Sequence, residues 1–229
     1  MHTVRVWDLP TRLFHWALVV CVVGLVVTGN VGGNAMVWHG RLGYAVLALL
    51  LFRLVWGFVG GRWSRFGSFV VAPSTTFAYL RGQTGPERSV GHNPLGAWSV
   101  LALLLVLFAQ VGSGLFADDE IAFTGPLAGL VSGDWVSSLT RYHKDIGKLL
   151  LIALVVLHLL AIAFYRLVRR QQLVRPMIVG DKLLPAPVPG SNDNARSRWW
   201  ALLVLLLCAA AVYGLVSLGD GAIPASSFD

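Results

Sequence analysis

YHKDIGKLLLIALVVLHLLAIAFYRLVRR, residues 142–170, puts two histidines, His143 and His158, on what reads as one membrane-spanning helix. Fifteen residues separate them, so at ~1.5 Å rise per residue they stand ~22 Å apart along the helix axis. At ~100° per residue their side chains point within roughly 60° of each other. One helix thus offers an imidazole near a membrane surface and another deep in the bilayer. An ionisable side chain inside a transmembrane segment marks a functional site by default, with partners to be found.

The rest of the composition agrees with a membrane setting. The chain has 229 residues, 56% of them apolar and 13% charged, where a soluble domain would carry about a quarter charged residues. Long apolar stretches run over Leu13–Thr28, Leu42–Val59, Leu95–Phe116, Leu149–Leu167 and Trp199–Leu218. Each is near the ~17–25 residues that cross ~30 Å of hydrocarbon. An all-α integral membrane protein is predicted, with no room for a soluble catalytic domain. Cys21 and Cys208 lie inside apolar stretches and read as small packing residues. No C-x-x-C-H appears, which argues against covalently attached haem, and no Cys/His cluster has zinc spacing.

The net charge of +7 is a topology signal and not a nucleic-acid one. Arg5 and Arg12 precede the first span; Arg62, Arg65, Arg81 and Arg88 fill the second connection. Arg166, Arg169, Arg170, Arg175, Lys182, Arg196 and Arg198 fill the fourth. The alternate connections are uncharged (Asn30–Trp38) or acidic (Asp118, Asp119, Glu120, Asp134). Positive residues mark the cytoplasmic side, so the N-terminus is expected inside and the C-terminus outside. The first apolar run is too long for a signal peptide, contains His15 and Trp16, and is followed by no A-x-A site, so it is read as a span. Ser74–Leu80 is expected to form a short interfacial helix, Ala117–Thr140 an outer loop, and the Pro-rich stretch Pro176–Asn194 a flexible linker. His2 is expected at a mobile terminus, and no internal repeat stands out. The last span carries neither charge nor histidine and reads as a peripheral anchor or subunit contact.

Topology sorts the remaining histidines by depth. His39 and His143 begin the second and fourth spans on the outer side, while His15 and His158 lie on the inner halves of the first and fourth. Two matched pairs are therefore expected, His39 with His143 and His15 with His158. Bundle interiors are the usual place for a cofactor, and two facing imidazoles per level suit six-coordinate haem iron. Gly43 and Gly147 each lie one turn beyond a histidine and would clear room for a flat porphyrin. Arg41, Lys144 and the deep Arg53 are candidate partners for haem propionates, which would justify a charge at that depth. His92, in GHNPLGAW, is expected to cap the third span or contact a quinone headgroup, in preference to serving as an alternative ligand to His15, with Arg12 and Trp98 as further inner-face quinone contacts.

The stretches VWDLPTRLFHW (Val6–Trp16), WHGRLGY (Trp38–Tyr44), GHNPLGAW (Gly91–Trp98), GLFADDEIAFTGPLA (Gly114–Ala128) and YHKDIGK (Tyr142–Lys148) followed by His158 resemble the bacterial cytochrome b561 family. That family includes the b-type cytochrome subunits of nickel–iron hydrogenases. The resemblance covers residues 4–177. It implies a four-helix transmembrane bundle holding two non-covalent haem b groups, with axial ligands at His15, His39, His143 and His158 in the same pairing. The rest of the chain would be a linker (178–198), an additional fifth transmembrane helix (199–218) and a short periplasmic tail (219–229).

By that resemblance the chain sits in the bacterial inner membrane and moves electrons between a periplasmic-side donor and the quinone pool. The donor would be a cytochrome c or a hydrogenase or dehydrogenase subunit, and homo-oligomerisation stays open. The acidic Asp118–Glu120 would either steer a basic cytochrome c or form a solvated turn. Two alternatives are superoxide:quinone oxidoreductase activity and, from another class, a small His-lined proton or metal-ion transporter. The transporter would want carboxylates within the spans, and none is found at depth.

Overall fold

The computed structural model describes residues 1–85, 89–121 and 123–220, the side chain of Asp220 excepted. Arg88 and most of the expected periplasmic tail lie outside the described residues. The chain opens with a short strand, β1 (His2–Arg5), and enters α1 (Leu9–Val31). Asp8 caps that helix: its Oδ1 accepts the Thr11 amide at 2.9 Å, and Pro10 sits in the first turn, where its missing N–H costs nothing. Gly32 and Gly33 then take φ of 68° and 52°, a left-handed turn that favours glycine. A 3-10 turn (Gly33–Ala35) leads into α2 (Met36–Val59).

The second connection contains a 3-10 turn (Arg62–Ser64), α3 (Phe66–Phe69) and α4 (Pro73–Leu80). The short helix expected over Ser74–Leu80 is therefore present, one residue longer. Next comes α5 (Pro94–Gly114). Its cap is Asn93, whose Oδ1 accepts the Gly96 amide at 2.7 Å. The capping role expected of His92 thus belongs to its neighbour, because only a short side-chain oxygen reaches back to that amide.

The fourth long helix is a single rod from Gly133 to Leu167, 35 residues. It comprises α6 (Gly133–Arg141), a π-helical turn (Tyr142–Gly147) and α7 (Lys148–Leu167). It begins well before Tyr142, inside the stretch expected to be loop. Hydropathy misses this start because GDWVSSLTR is amphipathic and largely polar. After α8 (Val174–Val179) and Gly180, at φ 93°, the chain forms β2 (Asp181–Leu184) and ends in α9 (Ala195–Asp220).

Among the described residues, five helices are long and apolar enough to cross a membrane: Leu9–Val31, Gly33–Val59, Pro94–Gly114, Gly133–Leu167 and Ala195–Gly219. They expose large apolar side chains such as Val20, Val23, Leu159, Leu160, Leu206 and Leu207, the pattern of helices solvated by lipid. The chain divides into two compact units. Residues 1–16, 52–104 and 153–204 form the first; residues 17–51, 105–152 and the described part of 205–229 form the second.

The first unit corrects the expectation of a flexible linker. β2 pairs antiparallel with β1, His2 opposite Leu184 and Arg5 opposite Asp181. The sheet packs Val4, Val6, Trp7, Val90 and Leu184 into one apolar cluster. Arg5 binds Asp181 at 2.6 Å and Asp193 at 2.8 Å, while Asp193 also accepts the Leu9 amide and Arg198. The prolines of this stretch lower its hydropathy without removing its partners, so it is folded against the N-terminus, and His2 lies on a paired strand. Asp8, fully buried, also receives Trp56 Nε1, the Gly61 amide and Ser64 Oγ at 2.9–3.2 Å.

Candidate functional site

In the second unit, His39 from α2 and His143 from the π turn bring their rings to 6.0 Å between centroids, nearly perpendicular. His39 Nδ1 meets the Leu25 carbonyl of α1 at 3.0 Å, and His143 Nδ1 meets the Gln110 carbonyl of α5 at 2.8 Å. A carbonyl only accepts, so each Nδ1 carries the proton and each Nε2 keeps its lone pair, the state a metal-ligating imidazole requires. Two imidazoles on one metal would stand roughly 6 Å apart by centroid, from metal–nitrogen bonds about 2 Å long and rings about 1 Å behind each nitrogen. The observed spacing fits a bis-histidine iron site.

Glycines on the facing helices make this approach possible. A Cβ at Gly29 would lie 3.0 Å from His39 Cε1, and one at Gly114 would lie 2.8 Å from His143 Cε1. Hydroxyls stand beside both rings: Thr28 Oγ1 is 3.2 Å from His39 Nδ1 and donates its own proton to the Gly24 carbonyl. Ser113 Oγ is 3.4 Å from His143 Nδ1 and donates to the Gln110 carbonyl. Leu25-x-x-Thr28-Gly29 and Gln110-x-x-Ser113-Gly114 are thus two copies of one local device, too short to stand out as a repeat in the sequence.

The first unit gathers His15, His158, His92 and Arg53. His15 and His158 are close enough for their charges to interact, and His92 senses the charges of both. Arg53 is only 3% exposed, with its guanidinium over the Phe66 ring at 4.8 Å and the Phe69 ring at 6.0 Å. Such cation–π contacts hold a charge that burial would otherwise penalise. Among the described residues Arg53 Nη1, His15 Nδ1 and His92 Nδ1 are buried without a hydrogen-bond partner. Arg53 Nη1, a buried donor without an acceptor, fits a group bearing carboxylates, as haem does.

His92 packs against Trp7 at 4.7 Å and Phe69 at 4.5 Å. Burial, helped by the positive charge of Arg53, pushes its pKa down to about 3, so the ring is neutral at physiological pH. It also lines a cavity of about 240 Å³ with Trp63, Ser68, Phe69, Gly91 and Pro94.

The structure distributes the remaining sequence-predicted residues unevenly. Arg12 Nη1 donates to the Ile178 carbonyl at 2.6 Å, and Trp98 Nε1 donates to Thr76 Oγ1 at 3.1 Å. Neither lines the His92 cavity. Arg41 stacks over Trp38 at 5.1 Å, and Lys144 is exposed. The space around Gly43 is open, but a Cβ on Gly147 would collide with Gln110 Oε1. The room expected above Gly147 for a flat ring is therefore occupied by the Gln110 side chain. The carboxylates of the acidic loop fold it: Asp118 accepts the Glu120 amide and Thr124 Oγ1, and Asp119 accepts the Ile121 and Phe123 amides. Asp8, Gln110, Thr28, Ser113, Gly29 and Gly114 were not singled out by the sequence, because each acts through a residue on another helix.

A family model described as prokaryotic cytochrome b561 matches residues 6–180. Among similar proteins is a probable Ni/Fe-hydrogenase B-type cytochrome subunit of Azotobacter vinelandii, 27% identical, with 79% of this chain and 88% of that protein covered. Proteins of the same description from Azotobacter chroococcum mcd 1 and Bradyrhizobium diazoefficiens are 26% and 24% identical. Both alignments cover 79% of this chain, with 88% and 86% of the respective relatives. No solved structure matches.

Proposed function

Because the chain belongs to the prokaryotic cytochrome b561 family, we propose that it is a di-haem cytochrome carrying electrons between a periplasmic-side donor and the quinone pool of the bacterial inner membrane. Family membership makes it a multi-pass b-type cytochrome that holds haem b and transfers electrons. The finer reading assigns one haem to His39 and His143 and the other to His15 and His158, within a bundle of the first four spans. The observation that carries it is the His39–His143 pair: two imidazoles 6.0 Å apart, each with its Nδ1 proton committed to a backbone carbonyl.

Bound haem supplies a one-electron couple at each level, and the protein supplies ligation, orientation and field. At the first pair, Leu25 and Gln110 orient the imidazoles and raise the basicity of Nε2. Arg41 and Lys144 stand on the helices that carry these ligands and are the propionate partners assigned there. At the second pair, Arg53 offers a buried positive charge with an unspent donor. The apolar surfaces of α1, α7 and α9 keep the span in lipid.

The cavity beside His92 supports a quinone contact on the cytoplasmic side, since its aromatic walls suit a flat ring and neutral His92 can donate or accept. The names of the similar proteins support a hydrogenase as the donor complex. Purified protein should show a reducible b-type spectrum with two haems per chain. His39→Ala and His143→Ala should each remove the same haem, and His15→Ala and His158→Ala the other. Loss of different haems by the two members of one pair would overturn the pairing, and absence of any b-type spectrum would overturn the function.

A further inference from the structure

The π turn Tyr142–Gly147 interrupts an otherwise regular 35-residue helix at the point where His143 leaves it. A π turn is rare, recurs at functional sites, and inserts an extra residue into the helical register. Without it, residues on α7 and His143 would be related by ordinary α-helical rotation, and His143 would be turned by about 100° per residue of slip.

Gln110 of α5 meets the turn at two points. Its backbone carbonyl accepts His143 Nδ1 at 2.8 Å, and its side-chain Nε2 donates to the His143 carbonyl at 2.9 Å. One residue thus grips both the ring and the backbone of the ligand. The Gln110 side chain rests where a Cβ of residue 147 would be, and residue 147 is glycine, buried, at the end of the turn. The other copy of the device supplies the contrast. At the position matching Gln110, α1 carries Leu25, which offers only its backbone carbonyl to His39. His39 projects from regular α-helix within α2 (Met36–Val59). Of the two matched positions, the one with an amide side chain is the one that meets the π turn.

We propose that Gln110 is a positioning residue for the haem site of His39 and His143: it holds the π turn open and sets the orientation and hydrogen bonding of His143. Gly147 is its seat. The inference rests on the assignment of His143 as an axial ligand, and it goes further by assigning to Gln110 and Gly147 the tuning of that one haem.

The test uses the full-length protein in detergent, with wild type and His143→Ala characterised first by redox titration and by electron paramagnetic resonance of the oxidised haems. Gln110→Ala should shift the midpoint potential and the low-spin signal of the haem that His143→Ala removes, or lose that haem, while the second haem is unchanged. The second haem reports that the chain has folded. Gly147→Ala, which displaces the Gln110 side chain from the opposite side, should give the same shift in the same haem. If both variants keep wild-type potential and signal at both haems, Gln110 does not position the ligand and the proposal fails while the ligand assignment stands. If both variants disturb the two haems equally, Gln110 is a general packing residue and the proposal also fails. If His143→Ala leaves both haems in place, the ligand assignment fails and takes the proposal with it.

Discussion

At the scale of single residues, buried polar groups decide most of what is specific here. Asp8 is a fully buried carboxylate satisfied by the Thr11 and Gly61 amides, the Trp56 indole and the Ser64 hydroxyl. It caps α1 and ties the end of α2 to that cap in one step. Asp8→Ala leaves those donors without an acceptor and should cost at least about 3 kcal/mol, read as a fall in thermal midpoint in detergent. A variant as stable as wild type would show that water replaces the carboxylate. Glycine supplies a second residue-scale contrast. Gly114→Ala pushes a methyl against His143 Cε1, whereas Gly43→Ala meets open space. The first should deplete or shift the haem of that site and the second should leave it intact, as measured by haem content per chain.

At the scale of elements, the short pieces carry more than their length suggests. The β1–β2 ribbon binds the N-terminal strand to the segment leading into α9. Asp193 is its hub. Burial opposes its ionisation, but hydrogen bonds from Arg198, the Leu9 amide and Arg5 win and hold its pKa below the usual carboxylate range. A carboxylate depressed on folding contributes stability that is complete above its unfolded pKa, ~3.9, and is lost as pH falls through the lower folded value. Amide exchange in β1 and β2, corrected for intrinsic rate, should therefore speed up below about pH 4. Asp193→Asn should exchange fast at neutral pH and respond less to acid. Equal protection in both proteins across that range would mean that the strand pairing alone holds the ribbon. The π turn is the other small element with a large effect, since it aims His143.

At the scale of the whole molecule, five apolar helices and an alternation of charge between their connections define the proposed topology. Arg62, Arg65 and Arg81 fall in the second connection, and Asp134 lies in the first turn of the fourth long helix, at the end of the third connection. Single cysteines introduced at Arg62 and Asp134 in a background lacking Cys21 and Cys208 should react from opposite faces of the membrane, cytoplasmic for the first and periplasmic for the second. Labelling of both from one face would overturn the orientation. The fifth helix keeps a large apolar surface, with Leu206, Leu207 and Tyr213 exposed, as lipid contact requires.

By itself the sequence determined the class of the protein, its five candidate spans, the family and the four histidines proposed as ligands, because hydropathy, charge asymmetry and histidine depth are linear properties of the chain. It determined much less about what surrounds them. Gln110 and Ser113 look like ordinary polar residues of an apolar helix, and nothing local tells that Gln110 meets a ring and a carbonyl 33 positions away. The π turn, the ordered linker and the occupied space over Gly147 were likewise decided in tertiary structure. Each depends on which backbone carbonyl, amide or side chain a second element brings within hydrogen-bonding distance, and that pairing exists only once the helices have packed.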